Sequence, residues 1–143
     1  MAHEVVRIRQ AARPTAVVAE ATTWSAFPAL WPAFLGEARS VLGERSGLNV
    51  MLYRDDVPNV EVGVFADAPF VPSGRVVASC LPAGDVAMTI HRGPYEDLGS
   101  AHAAVLEWCE AQGLAPTGVR WEIYGHHSDD PAHRITEVHY LLG

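Results

Sequence analysis

The run Arg120-Trp121-Glu122-Ile123-Tyr124 sets a carboxylate among aromatic and aliphatic residues in a segment that alternates as a β-strand does. Successive side chains of an extended chain point to opposite faces. Val119, Trp121 and Ile123 therefore share one apolar face, expected to lie against the helices, while Arg120, Glu122, Tyr124 and His126 share the other. A carboxylate on such a strand is costly to bury without a partner. Glu122 is then paired with Arg120 or another cation, solvated at a sheet surface, or aimed into a cavity where it attracts positive charge. Tyr124, two residues on, shares that face.

A second strand near the end gives a parallel case. Thr136, Val138, Tyr140 and Leu142 read as inward, and Ile135, Glu137, His139 and Leu141 as facing the other way. Glu137 would extend an acidic cleft, with His139 beside it, or act as a polar edge position. His91-Arg92-Gly93-Pro94-Tyr95-Glu96 joins a strand to a helix through a Gly-Pro turn. The ring of Tyr95 there either walls a pocket or packs the helix start. Thr23-Trp24-Ser25 holds the matching place in the first half, so Trp24 and Tyr95 would flank a central cleft symmetrically. Aromatic faces in such a cleft attract organic cations. Trp31 and Trp108 fall on helices and read as packing residues.

Other chemistries find no support. His126 and His127 are adjacent on a strand end and point apart, and His133 and His139 have no recognised ligand spacing, so neither metal nor cofactor is expected. There is no phosphate-binding glycine loop, nucleophile elbow or Cys-His signature. Seventeen acidic against ten basic residues give a net charge of -7, which argues against nucleic acid as partner and favours cationic or neutral ligands. The start, Met1-Ala2-His3-Glu4, carries no secretory signal, and no apolar run approaches the roughly 20 residues of a membrane span. A cytoplasmic protein with no membrane partner is the expectation. Cys80 and Cys109 then read as reduced core residues.

These side chains need a scaffold, and the order of elements supplies one. With 49 % apolar and 19 % charged residues, the 143-residue chain is globular and fits one domain, 1–143. Extended segments over Val5–Arg9 and Ala16–Ala21 precede a helix from about Ser25 to Leu42, whose start Pro32 should kink or delay. Strands Asn49–Arg54 and Val60–Phe65 flank Asp55-Asp56-Val57-Pro58-Asn59 as a hairpin, and residues 67–74 form a linker. The order then repeats. Arg75–Cys80 and Asp85–His91 are extended, a helix runs from Tyr95 or Glu96 to Gln112 and stops at Gly113, and strands Val119–His126 and Ile135–Leu142 follow. The fold class is therefore α+β, with two β-α-β-β modules (1–70 and 74–143) related by a pseudo-twofold axis. An antiparallel sheet, two helices and a central ligand cleft on that axis are expected.

The chain resembles the GyrI-like small-molecule-binding domain, the family that includes effector domains of BmrR-type multidrug-responsive regulators. The likeness rests on His91-Arg92-Gly93-Pro94-Tyr95-Glu96-Asp97-Leu98, the helix through Trp108, Glu122-Ile123-Tyr124 and Thr136-Glu137-Val138. It implies a cleft for lipophilic, often cationic, aromatic compounds. The family's buried strand carboxylate falls on Glu122 and its following aromatic on Tyr124. The resemblance implies ligand contacts from Glu122 and Tyr124, and Tyr95, Trp24, His91, Glu137 and His139 are expected to join them. No DNA-binding helix-turn-helix precedes the fold, so a stand-alone binder that sequesters or senses such compounds is expected rather than a one-component transcription factor. The resemblance also implies two alternatives. One is a hydrolase opening strained, cyclopropane-bearing natural products, with Glu122 activating water and Tyr124 or Tyr95 donating a hydrogen bond. The other is a protein-interaction role such as gyrase inhibition.

Overall fold

The computed structural model describes residues 3–125 and 129–143; His126 and His127, and the end of the strand expected to reach them, lie outside the described residues. The first half runs β1 (Val5–Gln10), β2 (Arg13–Ala21), α1 (Phe27–Leu42), β3 (Asn49–Tyr53) and β4 (Asn59–Phe65). The second runs β5 (Val76–Leu81), β6 (Gly84–Arg92), a 3₁₀ turn (Tyr95–Asp97), α2 (Leu98–Gln112), β7 (Pro116–Tyr124) and β8 (Ile135–Leu142). Among the described residues, no helix is long and apolar enough to cross a membrane.

Helix periodicity explains both helices. Phe27, Phe34, Ala38 and Leu42 bury one stripe of α1, and Leu98, Ala101, Val105 and Cys109 bury one stripe of α2. Gly113 ends α2 in the left-handed region at φ 69°, with the N–H of Leu114 closing back on the carbonyl of Cys109. Pro32 does not delay α1. The helix starts ahead of it at Phe27, with Pro28 in the first turn where a missing N–H costs nothing.

The eight strands form one antiparallel sheet in the order β1-β6-β8-β7-β3-β4-β2-β5. This is an α+β fold of duplicated β-α-β-β modules, β2-α1-β3-β4 and β6-α2-β7-β8, meeting at the β3–β7 pair. Each module lends a strand to the other: β1 pairs with β6, and β5 pairs with β2. Two-residue links, Ala11-Ala12 and Pro82-Ala83, join strands from opposite ends of the sheet. Two residues span only about 7 Å, so the sheet has to curl until its ends approach.

That curl decides what each face carries. Val50, Leu52, Phe65, Leu81, Val86, Trp121 and Ile123, drawn from both edges and the centre, form a single cluster on the face away from the helices. The expectation for β7 is thus reversed. Trp121 and Ile123 face the interior of the curl, and the helices cover the Glu122 and Tyr124 face. At Gly63 the backbone of β2 comes so close that an added Cβ would lie 1.9 Å from the carbonyl oxygen of Ala16. Cys109 is buried as expected, but Cys80 is exposed on the edge strand β5, and both are free thiols.

Candidate functional site

A cavity of about 620 Å³ opens between α1 and the start of α2, over the β3–β7 pair. Residues Phe27, Trp31, Leu35 and Arg39 recur every fourth position, so α1 turns one continuous stripe towards it. Met51 and Tyr53 line it from β3, Glu122 and Tyr124 from β7, and Tyr95 and Leu98 from the start of α2. Register explains the floor. Met51 pairs with Glu122, and residues two apart on each strand point the same way.

Glu122 is 6 % exposed, and both its oxygens are engaged. Its Oε1 accepts from the hydroxyls of Tyr53 at 3.0 Å and Tyr124 at 2.6 Å. Its Oε2 lies 2.7 Å from Nε2 of His102, whose Nδ1 lies 2.7 Å from the hydroxyl of Tyr140. With Nε2–H donating to the carboxylate, Nδ1 either accepts from the Tyr140 hydroxyl or, on a protonated ring, donates to it. Burial alone would raise the Glu122 pKa. The hydrogen bond and charge of His102 and the two tyrosine hydroxyls outweigh it, so the carboxyl is held below its ordinary range. Burial, reinforced by the charge of Glu122, pushes Tyr53 and Tyr124 far up, which keeps both as protonated donors. Burial likewise raises Tyr140 to about 12, against the opposing charge of Arg120.

Arg120 does not hold Glu122. It pairs with Asp56 at 2.8 Å and donates to the carbonyls of Gly118 and Asp55. Its guanidinium lies 5.5 Å from the Trp24 ring and 5.7 Å from that of Tyr53.

The structure brings together Glu122, Tyr124 and Tyr95, with Tyr95 set edge-on to Tyr124 at 5.8 Å. Trp24 stands one layer out. It is 46 % exposed, tilts against Tyr53 at 5.5 Å and donates to the carbonyl of Asp56. His91, Glu137 and His139 do not join them. His91 is buried beside α2 between His3 and the carbonyl of Pro94, against a second cavity of about 840 Å³ at the β1–β6 edge. That cavity is larger, but it has no Phe, Tyr or Trp in its wall and mixes Glu4, Arg92, Glu96 and Asp97. Glu137 and His139 bond each other at 2.9 Å on the opposite face of the sheet, where His139 stacks on Trp121 at 5.5 Å. The register leaves no choice, because His139 pairs with Trp121 and so shares its side. Trp31, read as packing, lines the cavity.

Sequence reasoning missed three residues of the network, Tyr53, His102 and Tyr140, the last read only as inward-facing. Tyr53 carried a signal in its alternation with Met51, but its approach to Glu122 depends on a β3–β7 pairing between modules. His102 lies four residues after Leu98, on the flank of the apolar stripe of α2, a place where a histidine can reach the sheet. Among the described residues, no group of three or more His, Cys, Asp or Glu is arranged to hold a metal.

Solved structures share this architecture. The C-terminal domain of EcmrR superposes with a TM-score of 0.80 at 21 % identity, covering 100 % of this chain and 99 % of that one. SAV2435 bound to tetraphenylphosphonium gives 0.72 at 12 % identity over 100 % and 94 % of the two chains. A hydrolase from Listeria innocua gives 0.65 at 14 % identity over 99 % and 93 %. No curated protein matches the sequence. The family model described as the GyrI-like small molecule binding domain matches residues 4–138, and with the fold and cavity above the chain belongs to that family.

Proposed function

We propose that the protein is a binder of lipophilic aromatic small molecules, cationic ones among them, that sequesters or senses them in the cytoplasm. In this reading residues 1–143 act as one ligand-binding domain, with modules 1–70 and 74–143 closing on the cleft. One observation carries it: a desolvated carboxylate, Glu122, on the floor of a cavity walled by Phe27, Trp31, Tyr53, Tyr95 and Tyr124. Ring faces supply area and stacking without demanding one ligand shape, and the carboxylate favours positive charge. The exposed free thiol of Cys80 fits a reducing compartment. SAV2435, the relative bound to tetraphenylphosphonium, lends the ligand class support by analogy.

A hydrolytic reading is kept alive by the Glu122–His102 contact and by the hydroxyl of Tyr124 at 2.6 Å. The electrostatics favour binding over it. A general base works best with a pKa near the working pH, whereas Glu122 is held acidic and both its oxygens already accept hydrogen bonds.

The test is a fluorescence titration of a cationic rhodamine and a neutral aromatic of similar size, on wild type and Glu122→Gln. Saturable cation binding that weakens more than neutral binding in the variant is the expected result. Equal losses for both dyes would remove the charge-recognition role. Turnover of a strained-ring substrate, abolished in Glu122→Gln while binding persists, would establish the hydrolase instead.

A further inference from the structure

The cavity carries a second charge of opposite sign. Arg39 closes the α1 stripe that begins at Phe27, and it lines the same cavity as Glu122. Its hydrogen-bond partners are neutral: one terminal nitrogen donates to the carbonyl of Gly47 at 3.3 Å and to the side-chain oxygen of Asn49. Among the described residues Arg39 makes no ion pair, unlike Arg75 with Glu37 or Arg54 with Glu61. Its Nε and other terminal nitrogen remain able to grip a carboxylate in two-pronged fashion.

Strand register fixes where that charge sits. Asn49, which holds Arg39, is two residues from Met51, which pairs with Glu122. Two residues of strand rise about 7 Å, so cation and anion stand at different levels of one apolar-walled space. The two are not equivalent. Glu122 is deep and already faces His102, whereas Arg39 is exposed. Arg39 also lines, with Leu48, an adjoining hollow of about 410 Å³ whose wall includes Arg13 and Asp67.

We infer that the preferred ligand is amphipathic and bipolar: an aromatic body against Trp31 and Tyr124, and a carboxylate or comparable anionic group on Arg39. This rests on the cavity being the binding site and narrows its ligand class from a simple lipophilic cation to a zwitterion. An arginine in the last turn of a helix is also favourable to the helix dipole without any ligand. A test has to separate these two roles.

The matched probes are a rhodamine ethyl ester, a cation, and the same dye as its free acid, a zwitterion. Both are titrated against wild type, Arg39→Gln and Arg39→Lys, with circular dichroism confirming the fold of each variant. The free acid should bind wild type at least about tenfold more tightly than the ester. Arg39→Gln should erase that preference, chiefly by weakening the free acid, and Arg39→Lys should keep part of it. Equal affinity for acid and ester in wild type, or a preference that survives Arg39→Gln, overturns the inference and leaves the cavity reading intact. Saturable binding of neither dye overturns both.

Discussion

The two modules present the same scaffold with opposite chemistry. Phe27 and Leu98 begin equivalent helices, Met51 and Glu122 face each other across the pseudo-twofold axis, and Tyr53 matches Tyr124 at equal spacing along the chain. Trp24 on Tyr53 and Tyr95 on Tyr124, at 5.5 and 5.8 Å, repeat one aromatic pair in both modules. Symmetry fails at two linked places. Where the second module has Glu122 beneath His102, the first has Met51 and Trp31 at the equivalent positions. A carboxylate therefore comes together with the imidazole that satisfies it, and the opposite half stays apolar. The modules share a cradle of two tyrosines, and one paired difference makes one half polar and leaves the other a hydrophobic wall.

The largest predicted effect tests a second asymmetry. Gly63 pairs with Val50 as His139 pairs with Trp121, yet only the second position accepts a side chain. Gly63→Ala puts a Cβ 1.9 Å from the carbonyl of Ala16, backbone that cannot move aside. It should cost at least about 3 kcal/mol in urea unfolding, or prevent folding. Next comes the carboxylate. Glu122→Met gives the second module the residue of the first and strips acceptors from Tyr53, Tyr124 and His102. A loss of about 3 kcal/mol is expected, with loss of cationic dye binding. Adding His102→Leu should cost less than the two separate losses combined, because the pair is removed together. Strict additivity in that cycle would mean the His102–Glu122 contact carries no energy.

The symmetric part of this comparison is legible in the sequence, and the asymmetric part is not. Trp24 and Tyr95 stand at matching distances before two helical stripes, and both hairpins carry Asp-Asp ahead of a proline, so the repeat can be read from the residues alone. Alternation also separates Trp121 from Glu122. It does not say which face the helices cover, because the curl buries both, and an apolar face inside the curl looks the same as one under a helix. Glu137 and His139 are misplaced for that reason. His102 and Tyr53 escape for another, since their link to Glu122 spans 20 and 69 residues and exists only once β3 meets β7 and α2 folds over it.

Acid should reveal the polar half of the site and leave the apolar half silent. Glu122 has a depressed folded pKa, so its stabilising contribution is present above the unfolded carboxylate value of about 4.3 and is lost as pH falls through the lower folded value. Wild type should therefore exceed Glu122→Gln in urea midpoint at pH 6–7, with the gap closing below about pH 4. A Met51→Leu control has no titrating group and should show a gap that does not change across the same range. A wild-type advantage that persists undiminished at pH 3 would mean that folding does not hold the Glu122 carboxyl below its ordinary range.

The smallest stability effect belongs to Trp31, the counterpart of His102. Trp31 is only partly buried and spends its ring on the cavity wall, whereas His102 bridges Tyr140 and Glu122. Trp31→Leu should shift unfolding by less than about 1 kcal/mol, as expected for a residue that leaves no buried polar group behind. Dye affinity should nevertheless fall about tenfold, because a large rigid face is what an aromatic ligand would stack on. His102→Leu should do the reverse in proportion, costing about 2 kcal/mol of stability by orphaning a carboxylate oxygen and a tyrosine hydroxyl. If Trp31→Leu weakens the fold as much as His102→Leu while dye affinity stands unchanged, the first module contributes core rather than a binding wall. Equivalent positions would then have diverged in packing alone, and the cavity would lose its claim on the ligand.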